Sequence, residues 1–331
     1  MKNIAIVGAT GAVGLEMLAV LKRRHFPVGN LRLFASERST WQRLEFAGAQ
    51  IQVEALTEGS FMGVDIALFS AGAEVSKSFV PAAVSAGCVV VDNSSAFRMD
   101  KRVPLVIPEI NGEDVRFHKG VIANPNCTTA IMLMALYPLH RAFGVRCIFA
   151  SSYQAVSGTG TKGMEELELQ LREHHYAGIP RASVYPHQIA LNVLPHVDAF
   201  LASGYTREEM KMEGESRKIM NHPHFRASMT CVRVPVLRAH SIAVSALFKR
   251  SISVVAAREV LAQAPGLDIV DDPQNNQYPL PIYQAGQDNC AVGRLRVDNV
   301  WGNRGLSFWV SGDQLLKGAA LNAIQIAELL L

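Results

Sequence analysis

The feature that most constrains this chain lies at its start. An apolar, strand-like run, Asn3–Val7, passes directly into Gly8-Ala9-Thr10-Gly11-Ala12-Val13-Gly14 and then into a helical pattern from about Val13 to Arg24. Glycines spaced this way let a chain turn tightly from strand to helix. They also bring backbone N–H groups close to a pyrophosphate at the helix N-terminus. Alone, such a string describes only a tight turn, but the alternating elements downstream add weight to it. Leu31–Ala35, Ile66–Ser70, Val89–Asp92 and Val121–Ala123 read as strands, with Val75–Ala86 and Thr128–His140 as helices. That alternation predicts a doubly wound, largely parallel sheet.

After about residue 143 the texture changes. Val145–Tyr153 reads as a strand, Lys162–His174 as an exposed helix, and Tyr185–Val197, with its prolines and histidines, as loop and turn. Ser228–Val234 and Ser241–Phe248 read as longer strands, the second alternating SIAVSALF with the period of a half-buried sheet. A helix at Ala256–Gln263, strands near Val292–Val297 and Leu306–Ser311, and a closing apolar helix at Leu315–Leu330 complete the pattern. No repeat, low-complexity tract or linker interrupts it.

Composition narrows the function classes. The 331 residues are 49% hydrophobic and 18% charged, enough for a sizeable core, and no run approaches the roughly 18–20 apolar residues of a membrane helix. The net charge of +3 comes from scattered basic residues, which argues against nucleic acid or a membrane surface as the main partner. Glycines break the first apolar run early and no small-residue cleavage site comes after it, so the start reads as mature protein. The five cysteines, Cys88, Cys127, Cys147, Cys231 and Cys290, are odd in number, widely spaced and without a CxxC. They suit a reducing cytosol better than a disulfide framework or a zinc site.

Four of those cysteines sit in apolar, strand-like surroundings. Cys127 instead lies among Asn124, Pro125, Asn126, Thr128 and Thr129, between a strand end and the start of a long helix. A helix N-terminus favours the thiolate, the nucleophilic form. These local residues fit an activated thiol and a small packed residue equally well. After the second strand, Glu37 and Arg38 compete: an acid would hold a ribose 2′-OH, whereas Arg38 with Ser39 would accept a 2′-phosphate. Among ten histidines, His174, His175, His222 and His224 read as solvated and His187 and His196 as structural. His240, at a strand end close after Arg233 and Arg238, is the best general acid/base candidate, although these residues alone favour a structural role for any single histidine. The polar, glycine-rich Ser151–Gly160 turn offers donors to a ligand, or forms a plain loop, and Arg98 is another candidate anion contact.

Taken together, GATGAVG (8–14), SERS (36–39), VDNSSAFR (91–98), NPNCTT (124–129), SSYQAVSGTG (151–160), YPHQIALNVLPH (185–196), ESRKI (215–219), CVRVPVLRAHS (231–241) and GDQLLKGAALNAIQIAE (312–328) resemble the aspartate-β-semialdehyde dehydrogenase family. The resemblance runs from the first strand to the last helix. It implies an α/β fold: a Rossmann-like doubly wound parallel sheet completed by the C-terminal helix (1–129 and 315–331, NADP-binding), plus an α+β catalytic and dimerisation domain with a mixed sheet (130–314). It implies Cys127 as nucleophile, Gln154 orienting the substrate and His240 shuttling the proton. Glu215 and Arg233 would hold the substrate's amine and carboxylate, and Arg98, Lys218 and Asn126 the phosphate. Gly8, Thr10, Gly11, Ala12, Val13, Arg38, Ser39, Ser157, Gly158 and Gln314 would contact NADP, with no metal involved. The implied reaction is the reversible conversion of aspartyl phosphate to the semialdehyde, feeding lysine (through diaminopimelate), methionine, threonine and isoleucine synthesis. The implied assembly is a homodimer or a dimer of dimers in the cytoplasm.

The chain departs from the family pattern at Ala239, where a glycine is common before the histidine, at Ala73-Glu74 in the SAGAEVS segment, and at Thr40-Trp41. Two rival readings remain: N-acetyl-γ-glutamyl-phosphate reductase, which tends to carry a glycine before its cysteine, and a non-catalytic paralogue, which should have lost the nucleophile or base.

Overall fold

The last four residues of β1 (Lys2–Val7) are fully buried, as an unbroken apolar run requires of a strand covered on both faces. In this computed structural model, which describes residues 1–173 and 182–331, β1 is central to a seven-stranded sheet. The chain continues through α1 (Ala12–Arg23), β2 (Val28–Ala35), β3 (Arg43–Phe46), β4 (Ala49–Ala55), β5 (Ile66–Phe69), α2 (Ala73–Ser85), β6 (Val89–Asp92), the single turn α3 (Pro108–Asn111) and β7 (Val121–Ala123). The strand order is β3-β4-β2-β1-β5-β6-β7, parallel throughout except for the edge strand β3. β2 lies on one side of β1 and β5 on the other, so the loops leaving β1 and β5 part at a topological switch point, where α/β sheets bind ligands.

The β3–β4 hairpin falls where the sequence pattern shows no strand. It turns on Ala47 and Gly48, both with positive φ (50° and 87°), as a two-residue hairpin turn demands. Its side chains are largely exposed or half-buried, so no apolar alternation marks it.

The second body begins with α4 (Cys127–Phe143), whose first ten residues after Cys127 include nine that are buried. That matches a helix apolar on all sides. Then come β8 (Val145–Gln154), α5 (Thr161–Glu173), α6 (Arg207–Ile219), β9 (Arg226–Arg233), β10 (His240–Phe248), α7 (Val254–Ala262), β11 (Leu267–Ile269), the single turn α8 (Pro281–Gln284), β12 (Cys290–Asp298) and β13 (Gly302–Gly312). They form a mixed six-stranded sheet, β11-β12-β13-β10-β8-β9. α4 packs on one face of it. The other face carries Phe149 stacked on Trp301 (6.0 Å between ring centres) and Tyr153 against Trp309 (5.1 Å). α5, expected to be exposed, buries Gly163, Glu166, Leu167 and Gln170. The expected continuation to His174, like His175, lies outside the described residues.

The closing segment, expected as one helix, is a π-helical turn (Leu316–Ala320) followed by α9 (Leu321–Glu328). Contacts divide the chain into Met1–Asn126 with Ala319–Leu331, and Cys127–Gly318. The terminal helix thus belongs with the parallel sheet. There Asn322 Nδ2 donates to the Val106 carbonyl (2.9 Å) and to Asn124 Oδ1 (2.6 Å), and Arg24 pairs with Glu328 (2.6 Å). Among the described residues, no helix is long and apolar enough to cross a membrane.

Candidate active site

The register of the mixed sheet gathers Gln154 with two side chains that lie far from it in sequence. Parallel pairing of β8 with β9 sets Gln154 beside Arg233. Antiparallel pairing of β10 with β8 sets Ser241 opposite Tyr153, which brings His240, the first residue of β10, level with Gln154. β13 aligns Gly312 with His240, so Asp313 and Gln314 emerge at the same sheet end. All three gathered side chains are buried. α4 presents its N-terminus here, because Gln154 Nε2 donates to Thr128 Oγ1. Cys127 Sγ lies 3.9 Å from that hydroxyl. The nucleophile candidate is therefore the first residue of a seventeen-residue helix, where the dipole favours negative charge.

Beyond the paired strands the backbones keep company. Val234 N–H donates to the Gln154 carbonyl (3.0 Å), Val156 N–H to Val236 (2.9 Å) and Ser157 Oγ to Leu237 (2.5 Å). His240 Nδ1 accepts from the Ala155 N–H (3.0 Å), while Arg233 Nη1 donates to the Ala155 carbonyl (2.7 Å). Burial first, and the Arg233 charge second, hold the His240 pKa well below its ordinary value. Gly158 lies against both groups: a Cβ there would meet Arg233 Nη1 at 2.9 Å and His240 Nε2 at 3.3 Å. Asp313 accepts from Arg238 Nε (2.5 Å) and from the Gly286 N–H (2.6 Å). Gln314 takes the Ala239 N–H on Oε1 (2.8 Å) and donates to Ser157 Oγ. These bonds hold Ala239 at φ 72°, a conformation costly to any residue with a Cβ. A glycine there would pay no such cost.

α6 adds Glu215, buried, and Lys218, half-buried. The helix begins at a capping box: Glu209 N–H donates to Thr206 Oγ1 (3.3 Å) and Thr206 N–H to Glu209 Oε2 (2.7 Å).

In the parallel-sheet unit, Gly8 takes φ 86°, and a Cβ on it would come within 2.5 Å of the Ser70 carbonyl oxygen. One on Gly14 would come within 2.3 Å of the Gly8 oxygen. α1 has no side-chain cap and no acidic residue in its first turn. Glu37, Arg38 and Ser39 form a 3-10 turn directly after β2, with Glu37 and Arg38 exposed. Arg98 is buried, its guanidinium donating to the carbonyls of Asn124 (Nε, 2.8 Å) and Asn93 (Nη2, 2.8 Å). Asn126, also buried, ends this unit.

Residues 3–118 match the family model described as semialdehyde dehydrogenase, NAD binding domain, and residues 136–317 the semialdehyde dehydrogenase dimerisation domain. The aspartate-semialdehyde dehydrogenase of Aquifex aeolicus is 52% identical, the match covering 99% of this chain and 97% of that protein; that of Synechocystis is 48% identical, at 99% and 97%. The crystal structure of Vibrio cholerae aspartate semialdehyde dehydrogenase II complexed with ASA superposes with a TM-score of 0.97 at 42% identity. It covers 100% of this chain and 98% of that one. The chain belongs to the aspartate-semialdehyde dehydrogenase family.

In this member of the aspartate-semialdehyde dehydrogenase family, the sequence reading misses α6 and with it Glu208. Glu208 is buried in the first turn of α6 and accepts from Gln154 Nε2 (3.1 Å). The Thr206-x-x-Glu209 capping box is the signal that would have marked the helix start. His222, expected to be solvated, is instead half-buried. Its Nε2 lies 2.9 Å from the Val145 carbonyl oxygen and its ring stacks on His140 (5.0 Å). The apolar floor of α4 draws it in. Among the other histidines, His187 and His224 are exposed and His196 stacks on Phe200 (4.3 Å).

Proposed function

We propose that this chain catalyses the NADPH-dependent reductive dephosphorylation of L-aspartyl 4-phosphate to L-aspartate 4-semialdehyde, reversibly, through a thioester on Cys127. One observation carries the reading. Cys127 opens α4 in the same unit in which Gln154, Arg233 and His240 stand at the ends of three hydrogen-bonded strands.

The turn after β1 suits a dinucleotide. It is a cradle that a Cβ at position 8 or 14 would fill, and it feeds a helix N-terminus carrying no competing acid. Gly8, Thr10, Gly11, Ala12 and Val13 would hold the pyrophosphate side of the cofactor. Arg38 with Ser39 would hold the 2′-phosphate that makes it NADP, with Ser157, Gly158 and Gln314 as further contacts. Bound there, NADP accepts a hydride in the oxidative direction and returns one in the biosynthetic direction.

In the oxidative direction the Cys127 thiolate adds to the aldehyde carbon, forming a C–S bond and placing negative charge on the oxygen. His240, whose Nδ1 is occupied as an acceptor, donates a hydrogen bond from Nε2 to that oxygen and stabilises its charge until the carbon gives up its hydride and the thioester forms. A phosphate oxygen, held by Arg98, Lys218 and Asn126, then attacks the thioester carbon, and the thiolate leaves. Arg233 spends one N–H on Ala155 and offers the rest of its fork to the substrate carboxylate. Glu215 takes the substrate ammonium, and Gln154 orients the substrate.

On this reading Met1–Asn126 with Ala319–Leu331 binds the cofactor, and Cys127–Gly318 carries catalysis and self-association. The open sheet face bearing Phe149, Tyr153, Trp301 and Trp309 is the surface a second copy covers, giving a homodimer that can pair again into a dimer of dimers. Free cysteines and a soluble biosynthetic role, supplying lysine, methionine, threonine and isoleucine, fit the cytoplasm.

The test is NADPH formation by the purified protein from aspartate semialdehyde, NADP⁺ and phosphate, beside the same assay with N-acetylglutamate semialdehyde. Turnover of the first, lost in Cys127→Ser, is expected. Turnover of the second alone would favour the reductase rival, and turnover of neither would leave a non-catalytic paralogue.

A further inference from the structure

Gln154 is a primary amide in a closed setting, and such a group is functional only if its two ends are told apart. Its Nε2 donates to Thr128 Oγ1 and to Glu208 Oε1 (3.1 Å), while its Oε1 is buried with no hydrogen-bond partner. A hydroxyl accepts either end of an amide, so Thr128 cannot set the orientation. An ionised carboxylate only accepts, so Glu208 can.

The surroundings hold the Glu208 carboxylate in place. Lys211, one turn further along α6, donates from Nζ to Glu208 Oε2 (2.9 Å) and to Asp198 Oδ2 (2.8 Å). Burial opposes the Lys211 charge, but Glu208 and Asp198 outweigh it and raise its pKa; burial likewise opposes the Asp198 charge, which Lys211 and the Ala199 N–H more than offset. The start of α6 is itself tied down. Thr206 and Glu209 form the capping box, and Glu209 Oε1 accepts the backbone N–H of Cys231 in β9 (2.9 Å). Two elements that meet the strand end at Gln154 thus fix the height of the carboxylate facing it.

We propose that Glu208, backed by Lys211 and Asp198, is a positioning residue that locks the Gln154 amide with its carbonyl turned away from the carboxylate, so that this site presents a lone acceptor to the reacting molecule. The group bound at Gln154 is then a donor, an ammonium, amide N–H or hydroxyl, and a ligand offering only an anion there is rejected. The inference rests on the reading of Cys127 and Gln154 as the reactive centre.

The decisive experiment is a double-mutant cycle on the purified full-length enzyme. Glu208→Gln, which keeps shape but can face Gln154 with either end, is expected to lower kcat roughly 10–100-fold, with the NADP KM unchanged. In a Gln154→Ala background the same substitution should cost less than twofold. Lys211→Met should behave as Glu208→Gln does, and Lys211→Arg should restore most of the activity. An equal loss in both backgrounds, or none in either, overturns the proposal. A second readout needs no turnover: the Gln154 side-chain NH₂ in ¹⁵N spectra should exchange slowly in the parent and at least tenfold faster in Glu208→Gln or, if that variant does not fold, in Lys211→Met. Unchanged exchange overturns the lock even in an inactive protein. A slow-exchanging parent with no turnover would instead count against the reading of the reaction.

Discussion

The backbone N–H of Ala155 donates to Nδ1 of His240 across 3.0 Å. A neutral imidazole that accepts at Nδ1 carries its proton on Nε2, and a second proton at Nδ1 would break this bond. In the proposed reaction His240 would therefore meet the substrate as a donor. Nitrogen-15 spectra at neutral pH should show a protonated Nε2 and an unprotonated Nδ1 for His240. The opposite pattern would remove the basis for assigning it the role of hydrogen-bond donor in the addition step.

Burial, and then Arg233, keep the His240 pKa well below 6.5; burial, then His222 and Lys249, lower that of His140. In both cases the unfolded chain binds protons that the folded one refuses. Stability is thus full above about pH 6.5 and falls as pH drops from there toward the folded-state values, by at most about 1.4 kcal/mol per pH unit for each histidine. Denaturant midpoints measured from pH 8 to 5 should decline in that window, and His240→Gln should flatten the decline. Equal stability at pH 7 and 5 would contradict the burial of these rings as neutral groups.

Ala239 holds φ 72° because Gln314 grips its N–H and His240 must begin β10 beside it. The left-handed region costs an L-residue roughly 1–2 kcal/mol, part of which glycine returns as unfolded-state entropy. Ala239→Gly is expected to stabilise the protein by about 1 kcal/mol, a Tm rise of about 2 °C, with kcat within twofold of the parent. A fall in Tm would mean that the methyl group packs usefully.

Arg38 stands exposed in the turn after β2, next to Glu37. If it carries the preference for a 2′-phosphate, Arg38→Ala should raise the KM for NADP roughly 10–100-fold, the loss of one charge-assisted contact, and leave the KM for NAD alone. Steady-state kinetics with both cofactors decide this. An unchanged NADP KM would return the choice to Glu37 and Ser39.

The parallel sheet, the glycine turn, the helix start at Cys127 and the strand end at His240 are all readable from the chain, since each carries an apolar run ending in polar or glycine residues. The β3–β4 hairpin is not, because an edge hairpin bathed in water needs no apolar alternation. α6 escapes for the opposite reason. Much of its buried face is Glu208, Glu209, Glu215 and Ser216, so the very residues that give it a role erase the hydrophobic period that would reveal it. His222 misleads because its neighbours in sequence are polar while its neighbour in space is α4. Register, finally, is a long-range property. No local window says that residue 154 will face residue 240.

The return of Ala319–Leu331 to the parallel sheet also sets a timetable. Met1–Asn126 lacks the helix α9 until all of Cys127–Gly318 has been made, at roughly 5–20 residues per second a wait on the order of 10–40 s. Throughout it, the surface that α9 will cover, with the Val106 carbonyl and Asn124 awaiting Asn322, stays open to water and to other chains. A nonsense mutation within the codons for Ala319–Leu331 would therefore damage the unit built from Met1–Asn126, made well before it.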